Sequence, residues 1–168
     1  MAFIVESGNT ISFAEYDDVL SRDSRVIENN EALTDDVVEE QLIRATERVL
    51  SKIRVSQWWV DYYRNISGVT ISSAADIPAP TAGKIKSSTN DFTDLCVYTA
   101  LAEFILPKVA DFGNPDDAER AKMGYYANKA EQLFLELITI GDWYDFDNDN
   151  TISSSEKQIG RINLKRVR

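Results

Sequence analysis

The sequence has no histidine and a single cysteine, Cys96, in 168 residues. The absence of histidine removes the commonest general base and the commonest ligand for transition metals. A single cysteine cannot form a disulfide within the chain. No apolar run is long enough to cross a bilayer, and the N-terminal sequence MAFIVESGN lacks the basic start and apolar core of a signal peptide. We therefore expect a soluble protein that is made inside the cell and has no membrane partner.

Catalytic motifs are missing as well. The chain has no Ser/His or Cys/His couple, no glycine-rich phosphate loop, and no HExxH or CxxC spacing. Acidic residues are plentiful, but no spacing distinguishes one pair as an acid/base couple. We expect a protein that is not an enzyme.

Charge is abundant and unevenly distributed. The chain has 18 Lys and Arg against 28 Asp and Glu, a net charge of −10. Residues 157–168 contain five cations and no acid, so the acidic excess lies entirely in residues 1–156. An acidic body cannot grip duplex DNA, because phosphate binding requires clustered Lys and Arg. The basic end suits either nucleic acid or an acidic protein surface.

The first helical pattern begins close to the N-terminus. Ser12 and Glu15 have the spacing of a capping box, which predicts a short helix to about Arg22. A polar connection, residues 23–33, would follow it. The residues predicted to point inward are Phe13, Tyr16 and Leu20.

A longer helix is predicted next. Thr34 provides an N-cap, and Asp35 and Asp36 place acids at the positive end of the helix dipole. The helix should run to about Arg54. Its core face repeats at steps of three and four: Val38, Leu42, Ala45, Val49 and Ile53.

An aromatic segment follows the second helix. Trp58 with Tyr62, and Trp59 with Tyr63, are adjacent i, i+4 pairs that form a broad aromatic face. Two interpretations are open. The rings either pack into the core, or some of them anchor a partner, since Trp and Tyr are common hot-spot residues.

Residues 66–90 are rich in Ser, Thr, Ala, Pro and Gly and have little periodicity. A connection of this length is unusual inside a compact domain and is often functional. We predict a long loop that extends to reach a partner. It should be mobile in the free protein and cut first near Lys84 or Lys86.

Two more helices are predicted in the second half. Residues 92–106 are apolar on most of their circumference, which predicts a buried central helix that Pro107 ends or bends. Residues 114–117, Asn-Pro-Asp-Asp, predict the start of a helix that reaches about Ile138 and is closed by Gly141. Its apolar stripe would be Tyr126, Ala130, Leu133, Phe134 and Leu137.

The stretch DFDNDNTISSSE, residues 145–156, has the spacing of a twelve-residue EF-hand calcium loop. Ile152 holds the usual apolar position, while Asn150 replaces the expected glycine and tolerates the left-handed conformation. The alternative is a solvated acidic turn. Hard oxygen donors favour calcium, and a single loop favours a structural clip over a sensor. The predicted ligands are the carboxylates of Asp145, Asp147 and Asp149, the Thr151 carbonyl, a water held by Ser153, and both oxygens of Glu156.

The chain ends in a basic segment that reads as an extended arm. Residues 1–156 are thus predicted to form a mainly α-helical domain, a small bundle of about four to five helices with a long loop and a calcium loop. Residues 157–168 would be the arm, whose cations meet acidic groups while its apolar side chains enter pockets on a partner. The predicted partner-binding residues are Arg161, Ile162, Leu164, Lys165, Arg166, Val167 and Arg168.

The order of these segments resembles a known family. DDVVEEQLIRATERVLSKI, DFTDLCVYTALAEFIL, AERAKMGYYANKAEQLFLELI and the basic end INLKRVR are similar to the head–tail adaptors, or head completion proteins, of tailed bacteriophages. The resemblance implies a small helical virion protein that forms a ring of twelve copies between the portal and the next neck or tail protein. It would be made in the host cytoplasm and would extend the DNA channel, with DNA only passing through.

The resemblance also implies that residues 157–168 reach toward the portal or a neighbouring subunit. The calcium-type loop is not a general feature of that family. A different class of function also fits the residues, a monomeric calcium-dependent module that docks on a protein partner. The oligomeric state separates the two.

Overall fold

The computed structural model describes residues 3–65, 67–114 and 116–157. These residues are mainly α-helical with one two-stranded sheet, which confirms the predicted fold class. The structure also has a π-helical turn at Leu101–Ile105 and two 3-10 turns at Ala74–Asp76 and Ala82–Lys84. The strands and helices are β1 Ile4–Glu6, β2 Asn9–Ser12, α1 Tyr16–Glu28, α2 Asp35–Val55, α3 Gln57–Asn65, α4 Thr89–Ala100, α5 Leu106–Val109 and α6 Ala118–Ile140.

The β-hairpin near the N-terminus was not predicted. Strands β1 and β2 pair antiparallel, with Val5 opposite Thr10. Ser7 and Gly8 form the turn with φ angles of 51° and 81°. Two successive residues with positive φ make a tight hairpin turn whose twist matches the strands. The Ser-Gly dipeptide was the available signal.

Helix α1 is longer than predicted and has a different cap. The N-cap is Glu15, whose amide donates to the Asp18 carboxylate at 3.0 Å. The predicted Ser12–Glu15 capping box is wrong, because the Ser12 hydroxyl donates instead to the Ala14 carbonyl. Phe13 is buried ahead of the helix. The helix ends at Glu28, so the first half of the predicted polar connection is helical.

A kink at Asp23 explains why the helical pattern is interrupted there. Asp23 has φ −152° and ψ 76°, and its side chain is nearly buried. Its carboxylate accepts a hydrogen bond from the Tyr126 hydroxyl at 3.0 Å and pairs with the Lys122 ammonium at 2.8 Å. Burial, followed by the hydrogen bond to Asp23, raises the pKa of Tyr126. The kink thus attaches α1 to α6 through a satisfied buried carboxylate.

Helices α2, α4 and α6 pack side by side, with α4 in contact with both of the others. Helix α2 begins after Thr34 and buries all five predicted core residues. Helix α4 is the buried central helix, as predicted. The Cys96 thiol of this helix is fully buried and lies 3.3 Å from the Thr46 hydroxyl, and desolvation raises its pKa to about 12.

Pro107 does not end the central helix, because the turn before it widens. The Leu106 amide donates to the Leu101 carbonyl, five residues back, and the chain remains helical to Val109. Proline has no amide hydrogen and clashes with the preceding turn of a regular α-helix. The π turn accommodates it within the first turn of α5, where no amide donor is needed.

Helix α6 begins and ends close to the predicted residues. The Asp117 carboxylate accepts the Arg120 amide at 2.7 Å as the N-cap. Gly141 ends the helix in the left-handed conformation, φ 62°. Of its predicted stripe, Tyr126, Ala130 and Leu137 are buried and the other two are half-buried.

Candidate metal centre

The calcium-type loop is anchored by a buried tryptophan directly after α6. The Trp143 side chain is fully buried, and its indole nitrogen donates to the Leu137 carbonyl at 2.8 Å. Its ring lies 4.7 Å from that of Trp58 and 4.8 Å from that of Phe92, measured between centroids. This packing fixes where the loop leaves the body.

The aromatic face of α3 forms a platform under the loop. Trp58 and Trp59 are buried, which decides in favour of core packing for these two rings. Tyr62 and Tyr63 are half-buried, and Tyr62 stacks on Phe146 with 3.5 Å between ring centroids. Phe146 is the second residue of the predicted loop. The aromatic face therefore holds the loop instead of presenting its tryptophans to solvent.

The second half of the long loop, residues 77–90, packs against the calcium-type loop and the residues just before it. The Lys86 amide donates to the Trp143 carbonyl, and the Asp145 amide donates to the Lys84 carbonyl, each at 2.9 Å. Ile85, between the two lysines, is 5% exposed. The predicted extended loop is therefore corrected. Residues 67–76 contain no buried side chain, whereas Pro80, Ala82 and Ile85 are buried, and a bridge between Ile85 and Tyr144 attaches this second half to the body.

Three of the predicted ligands are brought together. One carboxylate oxygen from each of Asp145, Asp147 and Asp149 lies within 4.8 Å of the other two. Asp145 is completely buried, whereas Asp147 and Asp149 are exposed at the mouth of the loop. The separation allows one cation to contact all three after small side-chain movements, since Ca²⁺–oxygen distances are about 2.3–2.6 Å.

The loop backbone is curled around these carboxylates. The two Asp145 oxygens accept the amides of Asn148 at 2.6 Å and Asn150 at 2.9 Å. The Asp149 carboxylate accepts both the amide and the hydroxyl of Thr151. Asn150 has φ 67°, so asparagine adopts the left-handed turn that the missing glycine would have provided. Hydrogen bonds thus set the loop shape before any ion binds.

Glu156 lies beneath the loop and not at its mouth. It is 3% exposed, and its carboxylate accepts the amides of Phe146 at 2.6 Å, Asp147 at 3.2 Å and Ser153 at 2.7 Å. A carboxylate has about four acceptor sites, so these three bonds leave capacity for a cation. Closure of a calcium shell by both Glu156 oxygens stays a prediction.

The remaining predicted residues lie in different surroundings. Thr151 is exposed and contacts Asp149 through its hydroxyl. The Ser153 hydroxyl lies 2.8 Å from that of Ser155. Ile152 is half-buried, in keeping with its inward position in the pattern. The predicted partner-binding residues 161–168 lie outside the described residues.

The carboxylates of the loop respond differently to their surroundings. Hydrogen bonds from the Thr151 hydroxyl and amide lower the pKa of Asp149. Burial acts to raise the pKa of Glu156, but hydrogen bonds led by Ser153 outweigh it and lower the pKa overall. For Asp147, the Asp149 amide lowers the pKa, while desolvation and the neighbouring carboxylates raise it to a larger total extent. The charged forms of Asp149 and Glu156 are therefore stabilised by hydrogen bonds from groups within the loop itself.

The donor set fits a hard cation. Within residues 3–65, 67–114 and 116–157, neither of the two buried carboxylates of the loop, Asp145 and Glu156, forms an ion pair. Buried charges are normally paired or coordinate a metal. The two nearby ammonium groups, of Lys84 and Lys86, contact the neutral oxygens of Phe146 and Asn150. Calcium would supply the missing positive charge, with Asp145, Asp147 and Asp149 as the residues that hold it.

Comparisons with family models, curated proteins and solved structures found no match for this chain. Across the described ranges, no helix is both long and apolar enough to cross a bilayer.

Sequence reasoning missed the lysine contacts of this site. Lys84 and Lys86 are more than 50 residues before the loop, and their polar neighbours suggested a mobile segment. The alternation of Lys84, Ile85 and Lys86 was the available signal, because one apolar residue between two polar ones is typical of a half-buried strand.

These contacts change the expected proteolysis pattern. We expect trypsin to cut after Lys84 and Lys86 slowly in the folded protein, because their backbone is hydrogen bonded to Trp143 and Asp145. A protease of broad specificity should cut residues 67–73 first, where every side chain except Ile71 is exposed.

Mass spectrometry of timed digests measures the order of cleavage, and a heat-unfolded sample gives the intrinsic rate at each bond. Cleavage at Lys86 as fast as in the unfolded sample would contradict the packed arrangement.

Proposed function

We propose that this chain is a structural protein of the virion neck, a head–tail adaptor of a tailed bacteriophage. Several copies form a ring between the portal and the next neck or tail protein. The observation that carries the proposal is the order of helices α2, α4 and α6, which is the order found in the resemblance to that family. The packing of α4 between the other two gives a rigid unit for a ring.

The charge distribution supports a channel function. The described surface includes a shallow depression lined by four acidic residues, Glu15, Asp17, Asp35 and Glu39, and by Tyr16. An acidic surface repels the phosphates of DNA, so DNA slides past it without being held. In this proposal the protein extends the DNA channel and makes no sequence-specific contact with the DNA.

The loop at residues 145–156 contributes a calcium clip in this proposal. The start of the loop is fixed where Phe146 stacks on Tyr62 of the aromatic face, and Glu156 is the last buried residue before residues 158–168. A cation held by the loop carboxylates would connect the end of the helical body to the start of the basic segment. Fixing that exit point reduces the entropy lost when the segment docks on a partner.

The alternative, a monomeric calcium-dependent binding module, has less support. It would use the aromatic face of α3 or the basic arm to dock on a partner. Trp58 and Trp59, the strongest anchors on that face, are buried in the same chain. A partner cannot reach these two rings without displacing the calcium-type loop.

The test is assembly with the cognate portal. We expect electron microscopy of the full chain mixed with portal to show a ring of added density on the portal. A chain truncated after Glu156 should remain folded by circular dichroism but fail to add this density, because it lacks all five cations and all the apolar residues of the arm.

Two outcomes count against the proposal. Full-length protein that stays monomeric with the portal present favours the binding module. A folded truncated chain that assembles as well as the full chain moves the portal contact to the helical body.

A further inference from the structure

The face of α6 that points away from α4 carries no charged side chain. A solvent-facing helix surface normally has charged residues, and 27% of this chain is charged. Tyr125 and Leu135 on this face expose 57% and 54% of their surface. Successive residues of an α-helix are rotated by about 100° around its axis. On that geometry seven exposed residues lie on one face, about 100° wide, which we call the α6 seam: Ala121, Gly124, Tyr125, Asn128, Gln132, Leu135 and Thr139.

The α6 seam is symmetrical in sequence about Ala130. Its main positions follow one another at steps of four and three residues, the spacing by which helices pair along a seam. Six of them form three pairs whose members lie equally far from Ala130 in opposite directions: Ala121 with Thr139, Tyr125 with Leu135, and Asn128 with Gln132. Ala121 and Thr139 are both small, Tyr125 and Leu135 are both large and mainly apolar, and Asn128 and Gln132 are both amides.

We propose that two copies of this chain associate through the α6 seam as an antiparallel pair centred on Ala130. In this arrangement Tyr125 of each copy packs on Leu135 of the other. Asn128 lies opposite Gln132, and side-chain amides can hydrogen bond to each other. The small residues toward the helix start let the backbones approach closely.

The charges at the edges of the α6 seam favour the same partner. Lys129 and Glu136 lie on one edge of the seam. In a twofold antiparallel pair, this edge faces the same edge of the second chain. Lys129 of one chain then lies about 7.5 Å along the axis from Glu136 of the other, within reach of two long side chains. Lys129 lies over the Tyr125 ring, with its ammonium 5.8 Å from the ring centroid.

The other edge opposes the pairing and provides a test of the register. Glu131 is exposed next to the centre and would face Glu131 of the second copy. Like charges at such positions are destabilising. Neutralising this carboxylate should therefore tighten the pair, which a purely structural role for Glu131 would not do.

The contact does not depend on the adaptor ring. A ring needs two different surfaces that meet head to tail, whereas a twofold pair uses the same surface on both copies. The free protein can therefore pair through α6 whether or not it joins a portal.

Sedimentation equilibrium of the full chain tests association. We expect a dimer fraction that rises with concentration between about 1 µM and 1 mM, as for other small interfaces. Leu135→Lys should weaken dimerisation at least about tenfold, and Glu131→Gln should strengthen it. Ala127→Lys is the matched control, because it adds the same charge to an exposed position of α6 outside the seam.

Disulfide trapping tests the direction of the helices. Ala121→Cys and Thr139→Cys proteins, mixed and oxidised, should form a mixed disulfide and little of either homodimer, and the native Cys96 is too buried to interfere. A parent chain that stays monomeric throughout overturns the proposal, as does Leu135→Lys that dimerises like Ala127→Lys. Homodimeric disulfides alone overturn the antiparallel register.

Discussion

Replacement of Trp143 by alanine is expected to lower the free energy of unfolding by about 3–5 kcal/mol. The side chain is completely buried between Trp58 and Phe92, so its loss leaves a large cavity. The Leu137 carbonyl also loses its hydrogen bond from the indole. Domains are commonly stable by about 5–15 kcal/mol, so this single change approaches the whole margin. Urea unfolding followed by far-ultraviolet circular dichroism measures it.

Two variants separate the cavity from the hydrogen bond. Trp143→Phe keeps most of the ring and loses the donor, so the expected loss is about 1–3 kcal/mol. Phe112→Ala removes an aromatic ring that is 59% exposed and should change stability by at most about 0.5 kcal/mol. A loss below about 1 kcal/mol for Trp143→Ala would contradict the role of this residue as the anchor of the loop.

Calcium is expected to stabilise the folded protein by about 2.7 kcal/mol at a hundred times its dissociation constant. For a chain of this length that free energy corresponds to a rise in melting temperature of about 5–10 °C. The gain arises because the ion binds the assembled carboxylates of Asp145, Asp147 and Asp149 and has no such site in the unfolded chain. Thermal unfolding with calcium and with a chelator measures the difference.

Asn substitutions in the loop make this test specific. Asp147→Asn and Asp149→Asn keep the shape of an exposed side chain and remove a charged ligand, so they should abolish most of the calcium-dependent shift. Asp116→Asn makes the same change at an exposed position outside the loop and should keep the shift. Equal melting of the parent protein in both buffers would contradict the clip. Glu156 is a poorer test position, because its carboxylate also caps three amides without a metal.

Asp147→Asn has a second expected effect, in the presence of chelator. The Asp149 amide lowers the pKa of Asp147, but desolvation and the neighbouring carboxylates outweigh it and raise the pKa overall, so we expect the negative charge to be unfavourable there without a cation. Asp147→Asn should therefore leave the melting temperature in chelator unchanged or higher. A variant that is destabilised in chelator and still shifts with calcium would place the ion elsewhere.

Much of the site could be predicted from local spacing. The alternate positions of Asp145, Asp147 and Asp149 place three carboxylates on one curled loop, whatever the rest of the chain does. Glu156 differs, because a carboxylate accepts amides as readily as it binds an ion, and only the folded loop shows that Phe146, Asp147 and Ser153 donate to it.

The sequence by itself determined the long helices and the position of the loop. Helix ends depend on residues only a few positions apart, so local patterns marked the start of α2 after Thr34 and the end of α6 at Gly141. The pattern at residues 114–117 marked the start of α6 to within a few residues, although its cap is Asp117 and not Asn114. The kink at Asp23 and the continuation through Pro107 depended on tertiary contacts and a widened turn. The packing of Ile85 against Tyr144, nearly 60 residues later, is also a tertiary property. Such contacts join residues far apart in the chain, and local propensity contains no information about which distant surfaces will meet.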